Sequence, residues 1–450
     1  MSSPEGGGRR SSAAGVAPLY ARLPHGPHSL DHTQVISHQR ARIYGAMAEA
    51  VAENGYAATS VRRVVELAGV SRRSFYEQFA NKEACFLATY DAIASRGVKG
   101  IRRAHEASEG PLEERLRASL HASIEGMRAN WKDARLVIVE AQTVGPAGLA
   151  RLRRTTTACE QMLSVSFERE SGRGGVAMPV VRAIVGGLHW ISSLRLRKGN
   201  EQQLPTLAEE MLQWTLLFQS GSAGPVPARA TEPMPRMRAP ERDAPSVRAG
   251  GGGDRERVLL NALRLALIGD YSELSALQMA EAAEVSMDAF FEMFEGRDEC
   301  FLAALDMLGD ELLGLIGEAE PGGGEAWPRG VRRALAELTR YLAERPLYAR
   351  TIAAGAFAAG PAAAERNREI VRRLTASLVA GAPRPAQSSI AVDAISGAIA
   401  HTIRCQVAAG QIELLGTLSD DLAYVVLAPF LGADAAAEIV SEPDMATAAP

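Results

Sequence analysis

Lysine is scarce in this chain. Only Lys82, Lys99, Lys132 and Lys198 occur among 49 basic residues, so arginine carries nearly all the positive charge. That bias reads as a high-GC genome, not as chemistry. Cysteine is equally rare, with Cys85, Cys159, Cys300 and Cys405 in 450 residues. Four thiols without a Cys-x-x-Cys pair exclude a disulfide framework and argue against a zinc site. They suit a reducing, cytoplasmic compartment. Aromatics are 5% against 47% hydrophobic residues, so the core is aliphatic and favours helix. The most apolar stretch, 422–440, is broken by Pro429, Gly432 and Asp434 and is expected not to span a membrane. The first ten residues lack the apolar segment of a signal peptide. Also missing are a phosphate-binding loop, a Ser/His/Asp set and carboxylates paired at a diagnostic spacing, so no enzyme and no cofactor is expected. His25, His28, His32 and His38 look like a metal array but fall in a Pro/Gly-rich leader, so no metal is assigned.

Length and charge look unspecific at first. At roughly 100–200 residues per domain, the chain has room for two to four domains. A net charge of −4 gives no hint of a polyanionic partner.

Self-similarity changes that reading. Offset by 215 positions, Ser71, Phe75, Glu77 and Phe79 fall on Ser286, Phe290, Glu292 and Phe294. Cys85-Phe86-Leu87-Ala88 falls on Cys300-Phe301-Leu302-Ala303, and Tyr56 on Tyr271. Towards the end the offset becomes 211, placing Gly199 on Gly410 and Thr206-Leu207 on Thr417-Leu418. The spacing implies a tandem duplication.

The expected organisation is a disordered leader (1–33), a first helical motif (34–96), a helical region (97–220), a linker (221–253), a second motif (254–311), a second helical region (312–434) and a disordered tail (435–450). The linker carries six prolines and ends in four glycines, so it is expected to be extended. Apolar residues recur at helical spacing in both copies, as at Ile43, Met47, Ala50 and Val51. Ser60, Ser71 and Ser275 are suited to helix N-caps. With no alternating strand pattern, the chain is expected to be all-α.

A short helix, a Gly69-Val70-Ser71 turn and another short helix form a helix-turn-helix pattern. Tyr56 to Ser60, Ala68 to Ser71, and Phe75-Tyr76 with Phe79, Lys82 and Glu83 resemble the DNA-binding region of TetR-type transcriptional regulators. The resemblance covers about residues 39–91. It implies a double-stranded DNA operator, a sensor for a small-molecule effector of unknown class, and a repressor as the expected output. It places the helix after Ser71 in the major groove. Arg72 and Arg73 are then the base readers, since arginine pairs bidentately with guanine. Ser71, Ser74 and Tyr76 offer hydroxyls for phosphate, Lys82 stands at a helix N-terminus, and Thr59, Ser60, Arg62 and Arg63 flank the same strand. Arg73 replaces a glycine common in the family.

The second copy keeps the core and loses these groups. Arg72, Arg73, Ser74 and Tyr76 correspond to Met287, Asp288, Ala289 and Phe291. Residues 40–99 carry a net +3, residues 255–306 a net −7. The halves sum to +7 and −13, joined by a +2 linker. The second motif is therefore expected to keep its fold without binding DNA.

Relatives of this type dimerise through their last two helices. The matching segments are Pro179–Lys198 with Leu204–Gln219, and Ile390–Ala409 with Leu415–Leu431. The halves are expected to pair with each other, and two chains to associate as a homodimer. A linker of this length reaches about 30 Å. Sensor candidates are Trp131, His121, His189, Trp190 and Trp214, each of which also suits an ordinary core or interface. The alternative is a protein-interaction or ligand-sensing module that uses the fold without specific DNA binding.

Overall fold

The computed structural model describes residues 32–171, 176–197, 204–219, 253–269, 271–319 and 324–442. Residues 1–31 of the leader with Arg9 and Arg10, nearly all of the linker and the last eight residues lie outside the described residues, while residues 32 and 33, expected to be disordered, begin α1. Among the described residues the chain is all helical: α1 (His32–Ala58), α2 (Val61–Ala68), α3 (Arg72–Tyr76), α4 (Lys82–Ala107), α5 (Leu112–Ala129), α6 (Trp131–Ile138), α7 (Pro146–Ser171), α8 (Met178–Arg197) and α9 (Leu204–Leu216). After the linker come α10 (Asp254–Ile268), α11 (Ala276–Ala282), α12 (Met287–Met293), α13 (Arg297–Glu318), α14 (Trp327–Glu344), α15 (Pro346–Arg350), α16 (Ala356–Ala358), α17 (Pro361–Val379), α18 (Ala391–Ala408), α19 (Ser419–Leu431) and α20 (Ala433–Ser441). The chain forms two compact units, one ending at Thr89 and one starting at Tyr90.

In the first unit, Gly55 breaks the regular winding of α1 with φ +75°. Ser60 accepts from the Arg63 N–H and caps α2, which ends at Gly69 in the left-handed conformation (φ +59°). Ser71 caps α3 through the Ser74 N–H, and Asn81 accepts from the Ala84 N–H as α4 begins. Ile43, Met47, Val51, Val64, Phe75 and Phe86 are fully buried, and Phe79 nearly so. Their burial, at about 1.5–3 kcal/mol each, holds α2 and α3 against α1 and the start of α4.

The second unit contains a helical arrangement of the same kind in α10–α13. Ser275 opens α11 with a reciprocal capping box to Gln278, and Ser286 caps α12 through the Ala289 N–H. Phe290, Phe294 and Phe301 are buried beneath it. The residue at the turn is Glu284, with φ +56°. Thr351–Gly355 winds as a π-helical turn, and its Ile352 carbonyl accepts from Asn367 Nδ2. A Cβ at Gly355 would lie 3.0 Å from Leu267, so this Ala/Gly-rich segment serves close helix packing.

The segments α8, α9, α18 and α19 meet in the second unit. Gly186 and Gly187 bring α8 against α18. A Cβ at Gly187 would fall 2.8 Å from the Ala394 carbonyl oxygen, and one at Gly186 would fall 2.4 Å from His401 Cβ. In return, a Cβ at Gly397 would fall 2.2 Å from Trp190 Cβ. Gly397 and His401 are the residues 211 positions beyond Gly186 and Trp190, so the contact is reciprocal, as across a two-fold axis. Arg153 adds a 2.7 Å hydrogen bond to the Cys405 carbonyl.

Residues 412–431 are long and apolar enough to cross a membrane by composition. Here Leu422 to Phe430 are buried within the unit, against α14 and α18. The tail differs from expectation over 435–441. These residues belong to α20, which buries Ala436, Ala437 and Val440 and places its last carbonyls on Arg332. Three apolar residues at helical spacing suffice to dock this segment.

Candidate DNA-binding interface

On α3, Arg72 and Arg73 are exposed on the first turn. Arg73 Nε sits 3.0 Å from Glu77 Oε1, with the arginine side chain 89% accessible. Arg72 has no hydrogen bond or ion pair among the described residues. Tyr76 is 55% exposed and packs its ring edge-on against Phe75. Buried Phe75 and Phe79 therefore anchor one face of α3 while Arg72, Arg73 and Tyr76 project from the other.

The flanking groups are partly committed. Ser71 and Ser74 share a 3.0 Å hydroxyl contact. Arg62 pairs with Glu66 at 2.8 Å and Arg63 with Glu53 at 2.9 Å. Both pairs are exposed, so they hold the guanidinium groups only weakly. Arg42, which sequence reading passed over, donates from Nη2 to the Gly69 carbonyl at 3.0 Å and fixes the turn.

Two expected phosphate groups are placed otherwise. Thr59 is buried, and its hydroxyl donates to the Gly55 carbonyl at 2.7 Å, closing the end of α1. Lys82 does not present its ammonium outward. Nζ donates to the Tyr56 carbonyl at 3.0 Å and lies 4.3 Å from the centroid of the Tyr56 ring. Burial lowers the Lys82 pKa, and burial with nearby Glu83 pushes Tyr56 up to about 12. Lys82 thus ties the end of α1 to the start of α4 by cation–π attraction and carbonyl capping.

The same tie occurs in α10–α13. Arg297 Nη1 donates to the carbonyls of Tyr271 (3.1 Å) and Leu274 (2.9 Å), with its guanidinium 4.7 Å over the Tyr271 ring. Arg257 donates to the Ala283 carbonyl at 3.3 Å, much as Arg42 serves Gly69. The outward face of α12 differs from that of α3. It presents Asp288, Phe291 (54% exposed) and Glu292.

The matching pair Cys85 and Cys300 behave as core thiols. Cys85 and Cys300 are fully buried, and burial pushes each up to about 12.

The sensor candidates are spread over α5, α6, α8 and α9. His121 is exposed on α5 and pairs with Glu209 at 2.9 Å. Trp131 begins α6, and Trp214 is core, edge-on to Phe218. His189 and Trp190 do meet, on α8, where they line a cavity of about 10 Å³ with Gln142, Arg368, His401 and Arg404. That volume holds one water. Burial, reinforced by His401, Arg404 and Arg197, pushes His189 down to about 3. An open cleft of about 500 Å³ lies instead between the ends of α9 and α19, lined by Gln213, Leu216, Leu217, Gln387 and Leu431.

The family described as bacterial regulatory proteins, tetR family, matches residues 43–89. The HTH-type transcriptional activator FasR of Mycolicibacterium smegmatis is 25% identical over 189 residues, spanning 42% of this chain and 84% of FasR. The HTH-type transcriptional repressor AcnR of Corynebacterium efficiens is 28% identical over 123 residues, spanning 27% of this chain and 61% of AcnR. Among solved structures, the fatty acid degradation regulator FadR from Bacillus halodurans aligns at TM-score 0.36 and 20% identity, over 39% of this chain and 96% of that one.

The chain is thus a helix-turn-helix DNA-binding transcription regulator. The segment that matches the tetR family of bacterial regulatory proteins is the one built on α2 and α3.

Proposed function

We propose that this regulator reads its operator with Arg72 and Arg73 from the first helix-turn-helix alone. The observation that carries the reading is the contrast between α3 and α12. Two exposed arginines open α3, whereas Met287 and Asp288 open α12. Arginine pairs with guanine edges, and an acidic helix is repelled by phosphate. Ser60, Arg62, Arg63, Ser71, Ser74 and Tyr76 supply backbone contacts, and the exposed pairs of Arg62 and Arg63 exchange Glu66 and Glu53 for phosphate.

In the same proposal the chain is a duplicated subunit whose second half replaces a partner. The reciprocal Gly186/Gly397 contact supports this. Two such chains then supply two active readers. The cleft near Gln213 and Gln387 is large enough for a small effector. Repression by operator occupancy is the proposed output.

The test is binding of the full chain to its own upstream DNA across a salt series. Arg72→Ala with Arg73→Ala is expected to abolish sequence preference, losing about 1–3 kcal/mol per base contact. Met287→Ala with Asp288→Ala is expected to change nothing. Equal binding by wild type and the Arg72/Arg73 variant overturns the assignment of readers.

A further inference from the structure

Three different metal-ligating side chains converge in the second unit, away from the reader. Glu160 lies on α7, and His401 and Cys405 lie one turn apart on α18. His401 Nε2 is 3.1 Å from Glu160 Oε1 and 3.4 Å from Cys405 Sγ. All three donor atoms lie within 4.8 Å of one another, and all three residues are at least 95% buried.

We infer that Glu160, His401 and Cys405 form a zinc-binding site that joins α7 to α18. Tetrahedral coordination at zinc distances sets neighbouring sulfur, nitrogen and oxygen donors about 3.3–3.6 Å apart, close to the 3.1 and 3.4 Å separations from His401 Nε2. The donor set is selective. A thiolate with an imidazole suits zinc and disfavours magnesium and calcium, which take oxygen ligands. Hydrogen bonding alone leaves the arrangement short of partners. One Nε2 carries either a single proton or a single lone pair, yet it faces a carboxylate oxygen and a sulfur together. A cation between them satisfies all three donors. Residues behind the ligands hold them in place. Arg182 Nε lies 3.9 Å from the second Glu160 oxygen, and Arg153 binds the Cys405 carbonyl at 2.7 Å. Three protein ligands leave the fourth position to water. Since Glu160 precedes the linker and the other two ligands follow it, the metal would pin the two halves of the chain together. The inference stands on α7 and α18 and does not depend on which residues read DNA.

The experiment uses the full chain, reduced and stripped of metal with a chelator, then titrated with cobalt(II) and zinc(II). One equivalent of cobalt is expected to give the visible bands of a tetrahedral site and a thiolate-to-cobalt charge-transfer band. Zinc should displace it and raise the melting temperature. Cys405→Ser and Glu160→Gln are each expected to weaken zinc binding by more than about tenfold. A chain with Cys85, Cys159 and Cys300 all changed to Ser should keep the charge-transfer band, which decides the matter if the Cys405 or Glu160 variants fold poorly. Absence of the band in wild type overturns the site. So does metal uptake that survives Cys405→Ser, which would point to His25, His28, His32 and His38.

Discussion

Gly186 and Gly397 face each other where α8 meets α18, and a Cβ on either would come within 3.0 Å of the other's carbonyl oxygen. The two backbones therefore touch without side chains between them. Gly397→Leu is expected to push α18 from α8 and cost about 1–3 kcal/mol. Gly416→Leu, where a Cβ meets nothing within 4 Å, serves as the control. Denaturant unfolding of both variants measures the difference, and equal midpoints would exclude a tight interface at Gly397.

Lys82 is predicted to act on stability before it acts on DNA. Lys82→Ala removes a cation–π contact and the Tyr56 carbonyl partner, worth about 1–2 kcal/mol together. Lys82→Arg is expected to retain most of that stability, because Arg297 makes the equivalent tie to Tyr271. Thermal unfolding followed at the first unit separates the two. A Lys82→Ala chain that melts like wild type but binds all DNA sequences weakly would restore the phosphate role.

Glu284 holds a left-handed conformation at the position where the first motif has Gly69. A side chain there costs about 1 kcal/mol. Glu284→Gly is accordingly expected to stabilise the second unit by about 0.5–1 kcal/mol. A decrease in the melting temperature would show that the Glu284 side chain contributes more than its backbone strain costs.

Asp421 gives a pH dependence. Burial, with Asp420 adding repulsion, pushes its carboxyl up to about 6. The folded chain holds this proton more tightly than the unfolded chain. Below about pH 4 both states are protonated and no cost arises. As pH rises towards 6 the unfolded state ionises first, and above 6 the penalty is complete. Asp421→Asn is thus expected to raise the melting temperature at pH 7–8, with the gain fading towards pH 4. A gain independent of pH would remove Asp421 ionisation as its cause.

The helices were legible in the sequence because their signals are local. Ser60, Ser71 and Ser275 each cap the helix that their spacing announces. Phe75 and Phe290 are core because apolar periodicity placed them there. The direction of a long side chain is not local. Lys82 looked like a phosphate ligand from its place at a helix start, and only the fold brings the Tyr56 ring beneath it. Docking of 435–441 was missed because composition there gives no stop or start signal, and the partner that fixes it is Arg332. The Glu160–His401–Cys405 cluster was invisible for a related reason. Two of its members are four residues apart on α18, but the third is 241 positions from His401.

The packing of α8 on α18 has a consequence for regulation. Both helices belong to one polypeptide, so this contact forms by folding and is indifferent to dilution. A regulator assembled from separate subunits loses its pairing as its copy number falls, and its response then varies more steeply than its abundance. Within a chain the α8–α18 packing therefore adds no dependence on copy number of its own.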